Sequence, residues 1–531
     1  MPKTTSTLAG AAAAAAAVAA HDLLQRKHSV PRNWPVVGHA RFLLKDIRPE
    51  LQQYFIERNY DGRPYDRDIR SISYERAKGI HGEQAFGTER DVSAPGCEYL
   101  VHFSFPLDPP KTMPRVLLGG RDCTQPSDMA LLNVSSMSFG ALSANAIRAL
   151  HKGAEMGGFA HDTGEGGLSS YHQEHDGDLV WEIGSGYFST RTKDGDFDPA
   201  KFADLARREQ VKVVSLRLSQ GAKPGVGGVL PAAKVTKEIA TVRGVPKGEK
   251  CLSPAAHKVF QTPVELIEFV ARMRELSGVK PAGFKLCVGS RADVLAICKA
   301  IREVGTAPNF IIVDGAEDGT AAAPLEYEDH MGMPLTEGLM LVHNALVGTG
   351  LRNQVRIGAS GKVAAANDIV KRIIQGADYR NAARAMMMAV GCIQAQLCHT
   401  DKSPVSVATQ NKRPQRALVV GDKAERVQRY QEATVQEAVT MVASMGARGP
   451  EELTPLMLRK VISPTQTRSY AELYEWLESG SCSPSRRRAG RRTGRSPTRT
   501  PSTRRPGTLA PPTIAEPLPH HHIASRARRP A

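Results

Sequence analysis

Apolar runs alternate with amphipathic stretches between about residues 126 and 400. Short apolar runs bounded by turn residues are typical of buried strands, whereas apolar residues spaced three and four apart indicate helices. The alternation therefore predicts an α/β fold with a parallel sheet. Eight runs can be counted, at 131–136, 158–161, 179–183, 211–218, 283–288, 310–313, 355–359 and 377–382. This number favours a closed (β/α)8 TIM barrel over an open doubly wound sheet.

Amphipathic stretches between these runs predict the helices of the barrel. The predicted helices span 143–156, 263–276, 292–304, 339–347 and 367–375. A segment rich in Gly and Pro, from Gln220 to about Phe260, interrupts the alternation and predicts an insertion.

The composition divides the chain into further segments around the barrel. Residues 1–20 form an Ala-rich leader, predicted to be disordered or helical, and residues 21–125 predict an irregular N-terminal cap with short helices, for example around 49–58. The barrel is assigned to 126–410 and a C-terminal helical segment to 411–479, with helices at 421–443 and 451–462. Residues 480–531 are rich in Arg, Pro, Ser and Thr and predict a disordered basic tail.

The net charge of +16 comes mainly from this tail. Residues 481–531 contain twelve Arg and one acidic residue, Glu516, which leaves +5 for the rest of the chain. An Arg-rich tail can bind nucleic acid, but no aromatic residue alternates with the Arg to stack on bases, which argues against that function. The abrupt change of composition after Glu478 is equally consistent with a shifted reading frame.

The N-terminus and the cysteines bear on the cellular compartment. The run from Leu8 to Ala20 is nearly all Ala and is too short for a clear membrane span; a signal peptide is the alternative interpretation. The eight cysteines are scattered along the chain, unlike those of a secreted disulfide scaffold. A cytoplasmic protein is therefore predicted.

The strand ends contain the candidate chemistry, because barrel active sites lie at the C-terminal ends of the strands. The loops after strands seven and eight commonly bind a phosphate, which a glycine turn and a helix N-terminus suit. Here these loops contain Ser360, Gly361 and Lys362, and then Ala383 and Arg384. Gly361 permits close approach, and Lys362 or Arg384 adds positive charge; for Gly361 alone, a tight turn without a ligand is the alternative.

Three charged residues at other strand ends are further candidates. Lys285 lies inside an apolar run, where it either stabilises the charge of a reduced cofactor or forms a structural ion pair with Asp314 or Glu317. Glu165, among glycines, either contacts a ligand or transfers a proton, or is a solvated loop acid. Lys223 is either a partner for a dicarboxylate substrate or a surface loop residue.

Several motifs together resemble one family. They are MSFG beginning at Met137, TGEGG at Thr163, QGAKPG at Gln220, CHT at Cys398 and VATQ at Val407. Jointly they are similar to the central, FMN-binding region of glutamate synthase, and most similar to the stand-alone FMN-binding glutamate synthase family, over about residues 21–478. The resemblance implies a barrel that binds FMN, with hydride transfer from the reduced flavin to 2-iminoglutarate, giving L-glutamate.

The resemblance also implies the residues of the site. Those expected around the flavin and the substrate derived from 2-oxoglutarate, and so catalytic, are Glu165, Gln220, Lys223 and Lys285. The FMN-binding residues predicted from the strand ends and the resemblance are Met137, Ser138, Thr163, Lys285, Asp314, Gly315, Ser360, Gly361, Lys362, Ala383 and Arg384.

The chain departs from the family pattern at several places, and Val226 and Ser406 are among them. The ligands of the family's [3Fe–4S] cluster map onto Cys392, Cys398 and a third position, which here is Ser403. A serine hydroxyl is a poorer iron ligand than a thiolate, so the cluster is predicted to be absent or unstable. The loop after strand six has Asp318 and Ala321 where the family usually has Gly, which puts the substrate preference in question.

The nitrogen and electron sources are expected to be separate. No Cys precedes Cys97, so the ammonia-releasing N-terminal Cys of full glutamate synthases is missing; ammonia, another amine donor or a partner glutaminase is expected instead. No Gly-x-Gly-x-x-Gly motif follows a strand, so an NAD(P)H reductase subunit or a ferredoxin is expected to donate electrons. Two other functions stay open: an FMN oxidoreductase for another substrate, as in N-methylglutamate synthesis, and a non-catalytic barrel scaffold.

Overall fold

Eight parallel strands close into a barrel. The computed structural model of the protein describes residues 2–80 and 82–482. The barrel strands are β1 (Leu132–Val134), β2 (His161–Asp162), β3 (Leu179–Ile183), β4 (Val211–Arg217), β5 (Ala282–Leu286), β6 (Phe310–Asp314), β7 (Arg356–Ser360) and β8 (Tyr379–Ala382). Each strand pairs with the next in the chain, and β8 pairs with β1. The predicted (β/α)8 barrel is confirmed.

Helices connect most of these strands, and the last helix follows β8. They are Ala144–Gly157, Pro199–Ala206, Lys237–Arg243, Pro263–Leu276, Arg291–Val304, Leu335–Thr349, Ala366–Ile374 and Arg384–Val390. The helix Pro263–Leu276 begins and ends where the sequence predicts. Thr262 caps its N-terminus in a capping box with Glu265, and the proline occupies the first turn.

Helices cover the barrel, so its strands are largely buried. All residues of β5, β6 and β8 are buried. The core joins strand residues such as Phe284 and Ile357 to helix residues such as Leu266 and Leu339. A charged side chain within such a strand must therefore find its partners inside the protein.

The N-terminal segment forms helices at Pro2–Leu24, Ser29–Asn33, His39–Leu51 and Arg67–Lys78, with a π-helical turn at Gln52–Ile56. The predicted helix around 49–58 is placed too late in the chain. The helix begins at His39 and contains Pro49, which has no N–H to donate. The π turn, with its wider hydrogen-bond spacing, follows directly after this helix. Among the described helices, none combines the length and apolarity that crossing a membrane requires.

The C-terminal segment corrects one prediction. A long helix runs through Val420–Ser444, close to the predicted bounds, but the second predicted helix, at 451–462, is wrong. The 3-10 turns Pro450–Glu452 and Pro455–Met457 lead instead into the strand Leu458–Ser463. Pro455 lacks the N–H that a helix interior needs, and the strand pairs antiparallel with Glu98–Leu100 and Gln466–Ser469.

The other elements of the described residues are short. Two further antiparallel strand pairs lie outside the barrel, Arg115–Leu118 with Ser127–Ala130 and Val229–Leu230 with Cys251–Leu252. The remaining elements are the 3-10 turns Ser170–His172, Ala232–Lys234 and Cys398–Thr400 and the short helices Lys412–Gln415 and Tyr470–Leu473. Almost all of the predicted basic tail, residues 483–531, lies outside the described residues.

Candidate functional site

A buried lysine lies at the centre of the site. Lys285 on β5 is only 4% exposed. Its ammonium donates a hydrogen bond to Ser136 Oγ at 2.8 Å and lies 3.5 Å from Asp314 Oδ1 on β6. Of the two ion-pair partners considered from the sequence, Asp314 is the one in contact; Glu317 accepts a hydrogen bond from the Leu335 N–H at 2.9 Å instead.

Four carboxyl groups influence this ammonium. Burial alone would lower the pKa of Lys285, but Asp314, Glu182, Asp318 and Asp162 raise it, so the side chain stays charged. Burial and repulsion from Glu182 raise the pKa of Asp162 well above its usual value. Burial also raises the pKa of Asp314, which Lys285 opposes. Two further cations act on these carboxyl groups: Arg217 opposes the raised pKa of Glu182, and Arg384 helps to lower that of Asp318.

A second buried cluster joins Glu165 to β4. Arg217 Nη2 lies 2.8 Å from Glu165 Oε2, and Arg217 Nη1 donates to Gln220 Oε1 at 2.9 Å. Gln220 Nε2 in turn donates to Thr320 Oγ1 at 3.2 Å. Glu165 is buried and paired, so the interpretation as a solvated loop acid is wrong.

Lys223 is buried beside this second cluster. It is 2% exposed, and its ammonium donates to the carbonyl oxygen of Ala322. The interpretation as a surface lysine is therefore wrong. Burial, with a smaller contribution from Arg217, lowers the pKa of Lys223 to about 8.

The loops after β6, β7 and β8 meet at one carboxylate. Ser360 Oγ, at the end of β7, lies 2.5 Å from Asp314 Oδ1 and 2.8 Å from Asp318 Oδ2. Arg384 Nη2 donates to the carbonyl of Glu317 at 2.7 Å and lies 3.5 Å from Asp318 Oδ1. Ser360 and Arg384, both predicted phosphate-binding residues, thus lie on either side of Asp318.

Gly361 and Lys362 continue the loop after β7 with positive φ angles of 142° and 50°. A side chain at Gly361 would therefore be strained, in agreement with the predicted tight turn. Lys362 is half-buried, and burial followed by repulsion from Arg384 lowers its pKa.

The other predicted cofactor residues lie on the same end of the barrel, with different contacts. Thr163 is fully buried, and its Oγ1 accepts from the Glu182 N–H at 3.2 Å. Ser138 Oγ accepts from Arg243 Nη2 at 3.3 Å. Met137 is buried, and Ala383 is half-buried before the helix Arg384–Val390. The Gly315 N–H donates to the carbonyl oxygen of Ser360 at 2.8 Å. Gly315 also lies so close to Gly221 that a Cβ on Gly221 would clash with the Gly315 carbonyl.

The cysteine segment after β8 is held by a buried lysine. Lys234 Nζ donates to the carbonyl oxygens of Ala141 at 2.7 Å, Cys398 at 3.1 Å and Ala408 at 3.0 Å. Burial raises the pKa of Cys392 to about 11 and also raises that of Cys398. Within residues 2–80 and 82–482, no group of three or more His, Cys, Asp or Glu is arranged to hold a metal ion. The absence or instability of the iron–sulfur cluster, expected from Ser403, stays a prediction.

Sequence reasoning missed several residues of the site. Asp162 on β2, Glu182 on β3 and Arg217 on β4 were not singled out, although Glu182 lies inside an apolar run as Lys285 does. Tyr65, from the N-terminal segment, lies under the Arg384 guanidinium at 5.1 Å from its ring centre. Only the fold brings Tyr65 there, because 319 positions separate it from Arg384.

The fold and the site define an α/β-barrel protein whose charged centre lies at the carboxyl ends of the strands, where barrel enzymes have their active sites. A family model described as the conserved region in glutamate synthase matches residues 122–448, more than half of the chain. The chain belongs to the glutamate synthase family.

Two relatives in sequence agree with this assignment. The chain is 33% identical over 470 residues to the glutamate synthase large subunit-like protein YerD of Bacillus subtilis, covering 81% of this chain and 89% of that protein. It is 30% identical over 321 residues to archaeal glutamate synthase (NADPH) of Methanocaldococcus jannaschii, covering 60% of each. A flavocytochrome b2 variant with pyruvate bound is similar over 88% of this chain and 92% of that one, at 13% identity and a TM-score of 0.42.

Proposed function

We propose that the protein is an FMN-dependent glutamate synthase-type oxidoreductase. The observation that carries the proposal is the buried Lys285 ammonium among carboxyl groups at the mouth of a glutamate synthase family barrel. When bound, FMN would supply the hydride that reduces 2-iminoglutarate to L-glutamate.

The residues at the site fit this cofactor. Several buried polar atoms have no hydrogen-bond partner within the described residues, among them Arg384 Nε, Asn381 Oδ1 and Glu182 Oε2. Unsatisfied buried groups are costly, so they favour a ligand that offers both donors and acceptors, as FMN does. Lys285 would stabilise the negative charge of the reduced ring. Ser360, Gly361, Lys362 and Arg384 would hold the phosphate.

The second cluster supports a dicarboxylate substrate. Arg217 and Lys223 are buried cations close to Glu165, and the Arg217 Nε atom has no partner among the described residues. Buried cations of this kind bind carboxylates through charge-assisted hydrogen bonds. Asp162 and Asp314, whose pKa values burial raises, would be the carboxyl groups that supply the proton that the substrate nitrogen needs. Ammonia or an amine would provide that nitrogen.

We also propose that the protein works in the cytoplasm with separate partners. An NAD(P)H reductase subunit or a ferredoxin would supply electrons, and a glutaminase subunit could supply ammonia. The Methanocaldococcus jannaschii relative, whose name includes NADPH, is consistent with such a reductant.

The test uses the full chain loaded with FMN and photoreduced without oxygen. We expect flavin reoxidation to accelerate when 2-oxoglutarate and ammonia are added together, and not with either one alone. An unchanged rate with the pair would contradict glutamate synthesis. Acceleration only when methylamine replaces ammonia would instead indicate N-methylglutamate synthesis. Protein that stays colourless and takes up no FMN would indicate a scaffold.

A further inference from the structure

Asp318 lies where the proposed cofactor phosphate would be held. Its side chain is 8% exposed, and it lies in the loop after β6, between the ends of β7 and β8. Asp318 Oδ2 accepts from Ser360 Oγ at 2.8 Å, and Oδ1 accepts from its neighbour Gly319 N–H at 2.8 Å. Oδ1 also lies 3.5 Å from Arg384 Nη2.

The groups around Asp318 are those that suit an anion. Ser360 offers a hydroxyl, and Arg384 offers a guanidinium that also rests on the ring of Tyr65. Barrels commonly place a ligand's phosphate between the loops after strands seven and eight, where these two residues lie. Burial opposes ionisation of Asp318, but the hydrogen bond from Asp314 and the charge of Arg384 hold its pKa below the usual value.

We propose that the Asp318 carboxylate competes with the phosphate of FMN for Ser360 and Arg384. It would thereby weaken the binding of FMN, but not of a flavin without phosphate, to this barrel. The proposal rests on the proposed function, because FMN is the ligand. A phosphate dianion that enters between Ser360 and Arg384 meets a carboxylate that already contacts both residues. The carboxylate must then turn away or become protonated before the phosphate can bind.

This arrangement predicts how the chain distinguishes flavins. Riboflavin has the ring and the ribityl chain of FMN but no phosphate. Repulsion by Asp318 therefore weakens FMN binding and leaves riboflavin binding nearly unchanged. The preference of the wild-type chain for FMN over riboflavin should be small, and it should grow when the carboxylate is neutralised.

The experiment measures dissociation constants of FMN and riboflavin by quenching of flavin fluorescence, for the full wild-type chain and Asp318→Asn. The variant keeps the size of the side chain and removes its charge. We expect FMN to bind about tenfold tighter or more to the variant, since like-charge contacts in a binding site oppose affinity at least this strongly. Riboflavin affinity should change less than about twofold. Glu326→Gln removes an exposed carboxylate from the same loop and should alter neither the FMN affinity nor the riboflavin affinity.

Two results would overturn the proposal: unchanged FMN affinity in Asp318→Asn, or equal tightening of FMN and riboflavin. If Asp318→Asn does not fold, Asp318→Gly removes the carboxylate with the residue expected at this position in the family. If no variant binds either flavin, the proposed cofactor is wrong, and titration calorimetry with inorganic phosphate decides the inference. Tighter phosphate binding by the variant than by the wild type upholds the anion site, and equal binding refutes it.

Discussion

The charge of Lys285 is balanced by several carboxyl groups rather than by one. Its neighbours in the sequence, Phe284 and Leu286, are apolar, and this contrast alone marks the lysine as unusual. Its partners could not be foreseen in the same way. Asp162, Glu182 and Asp318 come from three other parts of the chain, and only the closure of the barrel brings them to one ammonium.

Lys285→Met should therefore destabilise the fold as well as the proposed flavin site. Removing the cation leaves Asp314 buried without its ion-pair partner, which typically costs about 3–5 kcal/mol. Urea unfolding at pH 7 measures the loss. Lys299→Met, on an exposed helix position, should stay within about 0.5 kcal/mol of the wild type. Lys285→Met/Asp314→Asn should recover part of the loss; a single variant as stable as Lys299→Met would contradict the buried ion pair.

The lowered pKa of Lys223 predicts a pH dependence of substrate binding. Its pKa of about 8 means that the side chain is charged at pH 7 and mostly neutral at pH 9. If Lys223 binds a carboxylate of 2-oxoglutarate, the KM for 2-oxoglutarate should rise about tenfold between pH 7 and pH 9. Steady-state kinetics measure this, and in Lys223→Met the rise should disappear. A KM that does not vary with pH in the wild type would remove Lys223 from the substrate site.

At the scale of elements, local signals decide which boundaries the sequence can predict. The helix Pro263–Leu276 is marked by Thr262, a first-turn proline and Glu265, all within four positions. The strand Leu458–Ser463 has no comparable mark. It pairs with the distant strand Glu98–Leu100 on one side and with Gln466–Ser469 on the other, whereas its local periodicity alone predicts a helix.

Histidines packed between β2 and its neighbouring elements make this part of the barrel sensitive to acid. The ring of His161 lies 5.7 Å from that of His151 and 5.4 Å from that of His172. Burial lowers the pKa of His172 to about 3 and that of His161 well below its usual value. In the unfolded chain these histidines have pKa values of about 6.5, so below that pH they bind protons that they do not bind in the folded chain.

The resulting stability is present above pH 6.5 and is lost as the pH falls below it. With a folded pKa of about 3, His172 should contribute a loss of about 2 kcal/mol between pH 7 and pH 5, and His161 a further loss in the same direction. His161→Phe should reduce the pH dependence of the free energy of unfolding, whereas the exposed His330→Phe should not. Urea unfolding at both pH values measures the difference. An identical pH dependence in His161→Phe and the wild type would contradict the account.

At the scale of the described molecule, segments far apart in the chain close around the barrel. Tyr74 OH of the N-terminal segment donates to the carbonyl of Cys392 at 2.9 Å, and Gln53 Nε2 donates to that of Ile393 at 3.0 Å. The alternation of apolar runs and amphipathic stretches predicted the barrel because eight repeated units leave a strong pattern. It could not predict that the N-terminal segment contacts the cysteine segment, because single long-range hydrogen bonds leave no periodic signal.

The iron content of the whole protein tests the role of Ser403. We expect anaerobically purified protein to contain iron and acid-labile sulfide well below one cluster per chain, because the hydroxyl replaces a thiolate ligand. Ser403→Cys should raise both contents. Thr465→Cys adds a thiol at an exposed position and should not. Nearly stoichiometric cluster in the wild type would refute the prediction.

The central claim is that the mouth of this barrel binds a flavin beside Lys285. Titration of FMN into the full wild-type chain and into Asp318→Asn, followed by flavin absorbance and fluorescence, tests this claim most directly. The account predicts saturation at one FMN per chain in both, with a perturbed flavin spectrum. Failure of both proteins to take up any flavin would contradict it.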